Sequence, residues 1–185
     1  PEPVLEGVSF QIDTSWKLGL IGRNGCGKSS IIKAILQKAG YADRGYSPEG
    51  LLVSGTLDTA SGMVISCVSQ DTSFLSGSLR EYSSAAGLNE SLFFAVLRQL
   101  DLESTQFTKN MEDFSEGQKK KVLIASSLLT PAHLYIWDEP LNYIDIFSRM
   151  QIEKLILSYE PTFVFVEHDV RFRETVATKI IDSFA

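Results

Sequence analysis

Apolar and polar residues alternate along this chain in two rhythms, and the switches between them mark out the expected elements. Residues 7–12 (GVSFQI) and 17–21 (KLGLI) carry the β rhythm and are joined by Asp13-Thr14-Ser15, which predicts a hairpin-like pair forming an antiparallel β edge. A glycine loop follows the second of these strands directly, and from Ser29 the apolar positions Ile31, Ile32, Ile35 and Leu36 recur at helical spacing. Residues 40–50 hold three glycines, a proline and mixed charges and read as a loop, with strands expected at 51–57 and 63–69. Phe93, Val96, Leu97 and Leu100 fall at i, i+3, i+4, i+7 behind Asn89, which is expected to be the N-cap, inside a helix-rich stretch from 78 to 112. The last third alternates: helix 115–129, strand 133–137, helix 144–158, strand 162–166 and a short helix after Asp169. Strands separated by helices imply a mostly parallel sheet covered on both faces, an α/β architecture. No internal repeat or low-complexity segment interrupts it.

Bulk properties narrow the picture. A chain of 185 residues with 44% hydrophobic and 22% charged residues fits one globular domain. Its longest apolar runs, such as 122–125 and 162–166, fall far short of the ~20 residues a membrane helix requires, so no direct membrane insertion is expected. A net charge of -6 argues against binding nucleic acid by bulk electrostatics. Cys26 and Cys67 have no metal-like or CxxC spacing, which suits reduced thiols in a cytoplasmic protein. The chain opens at Pro1 with no initiator Met and no leader pattern, and it is expected to have been excised from a longer polypeptide.

Candidate chemistry begins at the glycine loop. Gly22-Arg23-Asn24-Gly25-Cys26-Gly27-Lys28-Ser29 fits GxxxxGK[ST] and sits between a strand and a helix, the context in which backbone N–H groups cradle phosphate at a helix N-terminus. Lys28 is expected to reach the β and γ phosphates of ATP and Ser29 to ligate Mg2+, with Gly22, Asn24, Gly25, Cys26, Gly27 and Ser30 completing the nucleotide contacts. Apolar residues leading into Trp137-Asp138-Glu139 supply a strand whose end carries one acid toward Mg2+ and a second that can polarise water. Asp138 is therefore expected to hold the metal and Glu139 to act as general base; taken alone, two acids after a strand would read as a helix cap and turn. His168 and Gln70 each follow a strand, at the sheet edge where open α/β folds bind ligands. Each also has a plainer reading, His168 as a surface residue capping the next helix and Gln70 as a solvated loop residue.

The ordered series GRNGCGKSS, Gln70, Phe114-Ser115-Glu116-Gly117-Gln118, Trp137-Asp138-Glu139-Pro140, Asp145 and His168 resembles the motif set of ATP-binding cassette (ABC) ATPases over nearly the whole chain. The resemblance implies an ABC ATPase fold on a P-loop core at about 1–77 and 133–185, with a helical signature subdomain at about 78–132. It implies that Gln70 meets Mg2+ and has a catalytic role with His168, and that Ser115, Gly117 and Gln118 contact the ATP held by a second nucleotide-binding domain. Asp145 matches the loop aspartate of the same interface. Each site then needs two domains, from one polypeptide or a homodimer. Two departures stand out. Glu116 replaces the first glycine of the signature pair and places a carboxylate near a triphosphate unless it turns away or pairs with Lys119 or Lys120; the run Lys119-Lys120-Lys121 itself reads as a solvated helix face. No aromatic residue precedes Val4, and the residue that stacks on adenine in this family is expected to lie before Pro1.

The strings FSEGQKKK (114–121), DEPLNYID (138–145) and VEHDVRF (166–172) resemble the second domain of ABC-F proteins, within them the antibiotic-resistance members. Leu141 and Tyr143 depart from the commoner Thr and His, and Glu167 from Ser. That resemblance implies a cytoplasmic tandem ATPase that binds the ribosome and dislodges drugs. The motor domain of a membrane transporter and a non-hydrolytic scaffold remain open alternatives. The fragment by itself is expected to hydrolyse ATP weakly.

Overall fold

The computed structural model describes residues 6–41, 51 and 53–182. Strands β1 (Lys17–Leu20), β2 (Ile65–Val68), β3 (Leu134–Asp138), β4 (Phe163–Val166) and β5 (Lys179–Ile181) form one sheet in the order β2-β3-β4-β1-β5. Every pairing in it is parallel. Parallel neighbours need a crossover, and the helices provide it: α1 (Lys28–Lys38) follows β1, and α5 (Ile146–Tyr159) joins β3 to β4. Between β2 and β3 the chain forms α2 (Leu79–Ala85), α3 (Glu90–Gln99), two short 3-10 turns and α4 (Glu116–Leu129); α6 (Val170–Val176) precedes β5.

Two apolar layers cover the sheet, and the strands sort side chains between them by the two-residue period of a pleated strand. Leu18, Leu20, Ile136, Val164 and Val166 face α1, whose Ile32, Ile35 and Leu36 pack on them. The opposite face carries Trp137, Phe163 and Phe165 and is covered by α4, α5 and α6 together with the 79–111 region, whose Leu79, Phe93 and Leu97 join the same cluster. Aromatic rings run across this face, with Trp137 edge-on to Phe163 at 5.0 Å, Phe163 stacked on Phe165 at 5.1 Å and Phe172 edge-on to Phe165 at 5.3 Å. Gly19 pairs with Phe165 across the β1–β4 ladder, and a Cβ there would press on that ring at 3.2 Å. Trp137 is 1% exposed, and its Nε1–H is satisfied by the Ser127 hydroxyl at 2.9 Å, which shares a 2.7 Å bond with the Ser66 hydroxyl.

Several expectations shift. Residues 7–12 form no strand, so among the described residues the antiparallel edge is absent. Their alternation survives in packing, since Val8, Phe10 and Ile12 rest on the α1-side core without ladder bonds. No strand forms at residue 51 or 53–57, and most of the expected 40–50 loop, like the residues before Glu6, lies outside the described residues. β5 was not expected, because its three residues are too few to show a period. The 119–121 lysines are not a solvated face: Lys120 is 3% and Lys121 7% exposed. The α4 helix is enclosed on nearly every side, so its lysines reach outward along their stems to fixed acceptors. Lys120 donates to the Ser69 carbonyl at 2.8 Å, and Lys121 donates to the Asp101 carbonyl at 3.2 Å.

Replacing Ser127 with Ala leaves the buried Trp137 N–H without its acceptor. Urea unfolding of S127A should show a loss of about 1–3 kcal/mol; stability equal to wild type would mean that the indole finds another acceptor.

Candidate functional site

Because all five strands run the same way, their C-terminal ends open onto one edge. β1 leaves it into the 22–27 loop, β2 into Ser69-Gln70, β3 into Glu139 and β4 into Glu167-His168. In the glycine loop Gly25 and Gly27 have φ of 79° and 96°, conformations that disfavour a side chain. The other α-helices are capped by Ser78, Asn89, Ser115, Asp145 and Asp169, whose side chains accept a first-turn N–H. Helix α1 is capped by Gly27 with no side-chain bond and no acid in its first turn. Its N-terminal N–H groups, and the positive end of its dipole, are thus left to an anion. Lys28 curls back over the loop, donating to the carbonyls of Gly22 at 2.9 Å and Arg23 at 2.8 Å. Asn24, Cys26 and Ser30 lie on this same loop and first turn.

One hydrogen bond joins the loop to the strand ends. The Ser29 hydroxyl donates to Asp138 Oδ2 at 3.1 Å, although β4 lies between their strands. Asp138 is 3% exposed and belongs to β3 itself, which removes the reading of it as a helix cap; that cap is Asp145. A hydroxyl and a carboxylate oxygen at this spacing fit a hard cation that takes its other ligands from phosphate and water, as Mg2+ does. No cluster of three His, Cys, Asp or Glu occurs among the described residues. Glu139 stands in left-handed backbone, φ 49°, with its N–H held by the Val166 carbonyl at 2.9 Å. Such strain is found where a side chain must be aimed. Its carboxylate accepts from Asn142 Nδ2 at 2.8 Å and lies 3.6 Å from His168 Nε2. His168 does not cap α6, since Asp169 accepts from the Phe172 N–H at 2.8 Å. Gln70 is exposed and its side chain has no hydrogen-bond partner among the described residues.

The signature segment is built differently. Ser115 and Gln118 form a reciprocal capping box at the start of α4, the Ser115 hydroxyl accepting from Gln118 N at 3.3 Å and Gln118 Oε1 from Ser115 N at 2.9 Å. Gly117 is buried, and a Cβ there would collide with the Tyr143 carbonyl oxygen. Asp145 binds within its own chain: it caps α5 through Ser148 and pairs with Lys121 Nζ at 2.9 Å. Desolvation raises its pKa, but the Ser148 N–H and hydroxyl and Lys121 outweigh this and hold it well below the usual carboxylate range. No hydrogen bond joins Ser115, Gly117 or Gln118 to the 22–30 loop among the described residues.

Sequence reasoning missed three contributors and gave a fourth, Lys120, a different partner. Glu167, 5% exposed, accepts N–H bonds from Leu141 at 3.1 Å, His168 at 2.8 Å and Asp169 at 3.2 Å, stitching the ends of β3 and β4 together. Arg149 donates to the carbonyls of Ile144 and Leu141 and pairs with Asp169 at 3.0 Å. Thr72 donates to Glu116 Oε2 at 2.6 Å. Burial pulls the Lys120 ammonium below the ordinary lysine range, against the opposing pull of Asp138 and Glu139. Glu167 left a trace in sequence as a departure beside His168, and Lys120 as an expected partner of Glu116 that instead donates to Ser69; Thr72 and Arg149 depend on tertiary neighbours.

Two measurements follow from these loops. G117A forces Cβ against backbone that cannot rotate away, and should lose about 1–3 kcal/mol in urea unfolding; unchanged stability would show that the 141–144 loop yields freely. D145N retains an N-cap acceptor but loses the pair with Lys121. Because the folded carboxyl pKa is depressed, that pair stabilises above the ordinary aspartate pKa of about 3.9 and is lost as pH falls below it. The stability gap between wild type and D145N should therefore be present at neutral pH and narrow on acidification; a gap independent of pH would contradict the pair.

Comparison with known proteins agrees with this geometry. The sequence profile of the family described as ABC transporter matches residues 5–142. The putative ATP-binding protein YdiF of Bacillus subtilis (strain 168) is 27% identical over 184 residues, covering 97% of this chain and 27% of the relative. The ATP-binding protein Uup of Buchnera aphidicola subsp. Acyrthosiphon pisum is 29% identical over 184 residues, covering 95% of this chain and 29% of the relative. The chain spans less than a third of the length of these curated relatives. Among solved structures, an ATP-binding subunit of an ABC transporter superposes with a TM-score of 0.72 at 23% identity over 97% of this chain and 80% of that one. The archaeal ribosome recycling factor aABCE1, in complex with the stalk protein aP1, gives 0.71 at 23% identity over 91% and 32%. At such identities the structural likeness speaks for the fold. The family profile runs through both the 22–30 loop and the end of β3 and covers well over half of the chain, so the chain belongs to the ABC transporter family.

Proposed function

We propose that this domain binds Mg-ATP at the common strand edge and hydrolyses it as one half of a head-to-tail pair of nucleotide-binding domains. The observation that carries the reading is the Ser29–Asp138 hydrogen bond, which brings a phosphate loop and a strand-end carboxylate to one point with Glu139 and His168 beside it. The uncapped start of α1 and the two left-handed glycines fit triphosphate, with Lys28 turning from the Gly22 and Arg23 carbonyls to the β and γ phosphates. Ser29 and Asp138 would hold Mg2+ with Gln70 at its margin, and the ion's chemistry there is neutralising charge on the β and γ oxygens.

Glu139 is the general base of this scheme. Water attacks the γ phosphorus as the bond to the β–γ bridging oxygen breaks, and Glu139 takes the water proton. His168 stands within reach of the Glu139 carboxylate to orient it and the γ phosphate. The Ser115, Gly117 and Gln118 turn, which resembles the family signature, would face the γ phosphate held by a partner domain, with Asp145 fixing the adjoining loop.

The whole protein, in this reading, is a cytoplasmic ABC-F ATPase that acts on the ribosome and protects it from antibiotics. The 114–121, 138–145 and 166–172 strings and the similarity to Uup and YdiF support it, and among the described residues no helix is long and apolar enough to cross a membrane. In the full-length protein E139Q should keep ATP binding and lose hydrolysis, whereas K28A should lose binding first; equal turnover in E139Q and wild type would remove Glu139 from its role. E139Q loaded with ATP should co-sediment with ribosomes, and failure to do so would refute the ribosomal assignment while leaving the ATPase reading intact.

A further inference from the structure

The turn that carries Gln70 is fixed by neighbours on both sides of it. On the N-terminal side the Ser69 carbonyl accepts from Lys120 Nζ at 2.8 Å; on the C-terminal side the Thr72 hydroxyl donates to Glu116 Oε2 at 2.6 Å. Thr72 and Lys120 are each 3% exposed, so both bonds have an end shielded from water. The turn is also closed on itself, with the Ser69 hydroxyl on the Asp71 carbonyl at 2.6 Å and the Ser73 N–H on Asp71 Oδ1 at 2.8 Å. It therefore moves as one piece. Glu116 and Lys120 lie four residues apart on α4 and so face the same way. Lys119 lies 3.5 Å from the other Glu116 oxygen. Glu116, the departure in the signature, is thus turned toward its own chain.

We propose that Glu116 and Lys120 are positioning residues that clamp the Gln70 turn to the first turns of α4, so that Gln70 at this domain's own nucleotide and Ser115 offered to its partner's nucleotide move as a unit. The proposal rests on the roles given to Gln70 and Ser115 above. It reverses the expected effect of the Glu116 carboxylate. If that charge faced the partner's triphosphate, its loss would relieve repulsion and speed hydrolysis. As one end of a clamp, its loss frees Gln70 and slows hydrolysis while ATP binding by the glycine loop persists.

Steady-state ATPase assays of the full-length protein separate the two. E116A and T72V should each lower kcat about threefold to tenfold with little change in KM, the scale of one hydrogen bond. The E116A/T72V double variant should be no slower than either single variant, because both remove the same contact. T72S, which keeps the hydroxyl, and E116Q, which keeps an acceptor without the charge, should stay close to wild type; a loss of packing alone would not be rescued in this way. A raised or unchanged kcat in E116A, or effects of E116A and T72V that multiply, overturns the clamp. If E116A does not fold, T72V against T72S decides it: equal kcat in the two overturns it. E139Q assayed alongside keeps the failures apart, since wild-type turnover there defeats the hydrolytic reading itself, whereas an inactive E139Q with unaffected E116A and T72V defeats only the clamp.

Discussion

The site depends on parallel pairing throughout the sheet. Parallel strands expose all their C-terminal ends along one edge, and here that edge gathers the glycine loop after β1, Gln70 after β2, the acids at the end of β3 and His168 after β4. β4 lies between β3 and β1, so Ser29 and Asp138 meet across an intervening strand, and Glu167 at that strand's end ties the neighbouring loops together. Reversing any one of these strands would send its loop to the far side. What permits the arrangement is burial on both faces, with branched side chains against α1 and aromatic rings against α4 to α6.

Helix α4 is the second organiser. It is buried along most of its length, and its polar groups have specific partners instead of solvent. Gly117 receives the Tyr143 carbonyl, Lys121 pairs with Asp145, Glu116 accepts from Thr72 and Lys120 donates to Ser69. The segment that resembles the family signature therefore touches the turn after β2 and the loop after β3 within its own chain. A helix so enclosed cannot shift without moving both.

Much of this could be read in the sequence because the signals were local. The glycine loop between strand and helix needs only its own residues, and the cap at Asn89 is a short-range hydrogen bond. The failures are tertiary. Residues 7–12 alternate as a strand does, but alternation reports which side is buried and says nothing of whether a neighbour supplies ladder bonds. Three consecutive lysines look solvated until the carbonyls of Ser69 and Asp101 and the carboxylate of Asp145 are brought to them. Thr72 and Arg149 carry no pattern of their own; they matter only because of what the fold sets opposite.

The central claim is that this edge is half of a composite site, completed by the signature turn of another domain. The most direct measurement is ATP turnover per mole of the isolated domain over a wide range of protein concentration. A composite site predicts very low specific activity for the dilute domain, with turnover appearing only where a second domain pairs with it, whether a second copy at high concentration or the other domain of the full-length protein. Robust turnover independent of concentration would mean that one domain completes its own site, and would contradict the account.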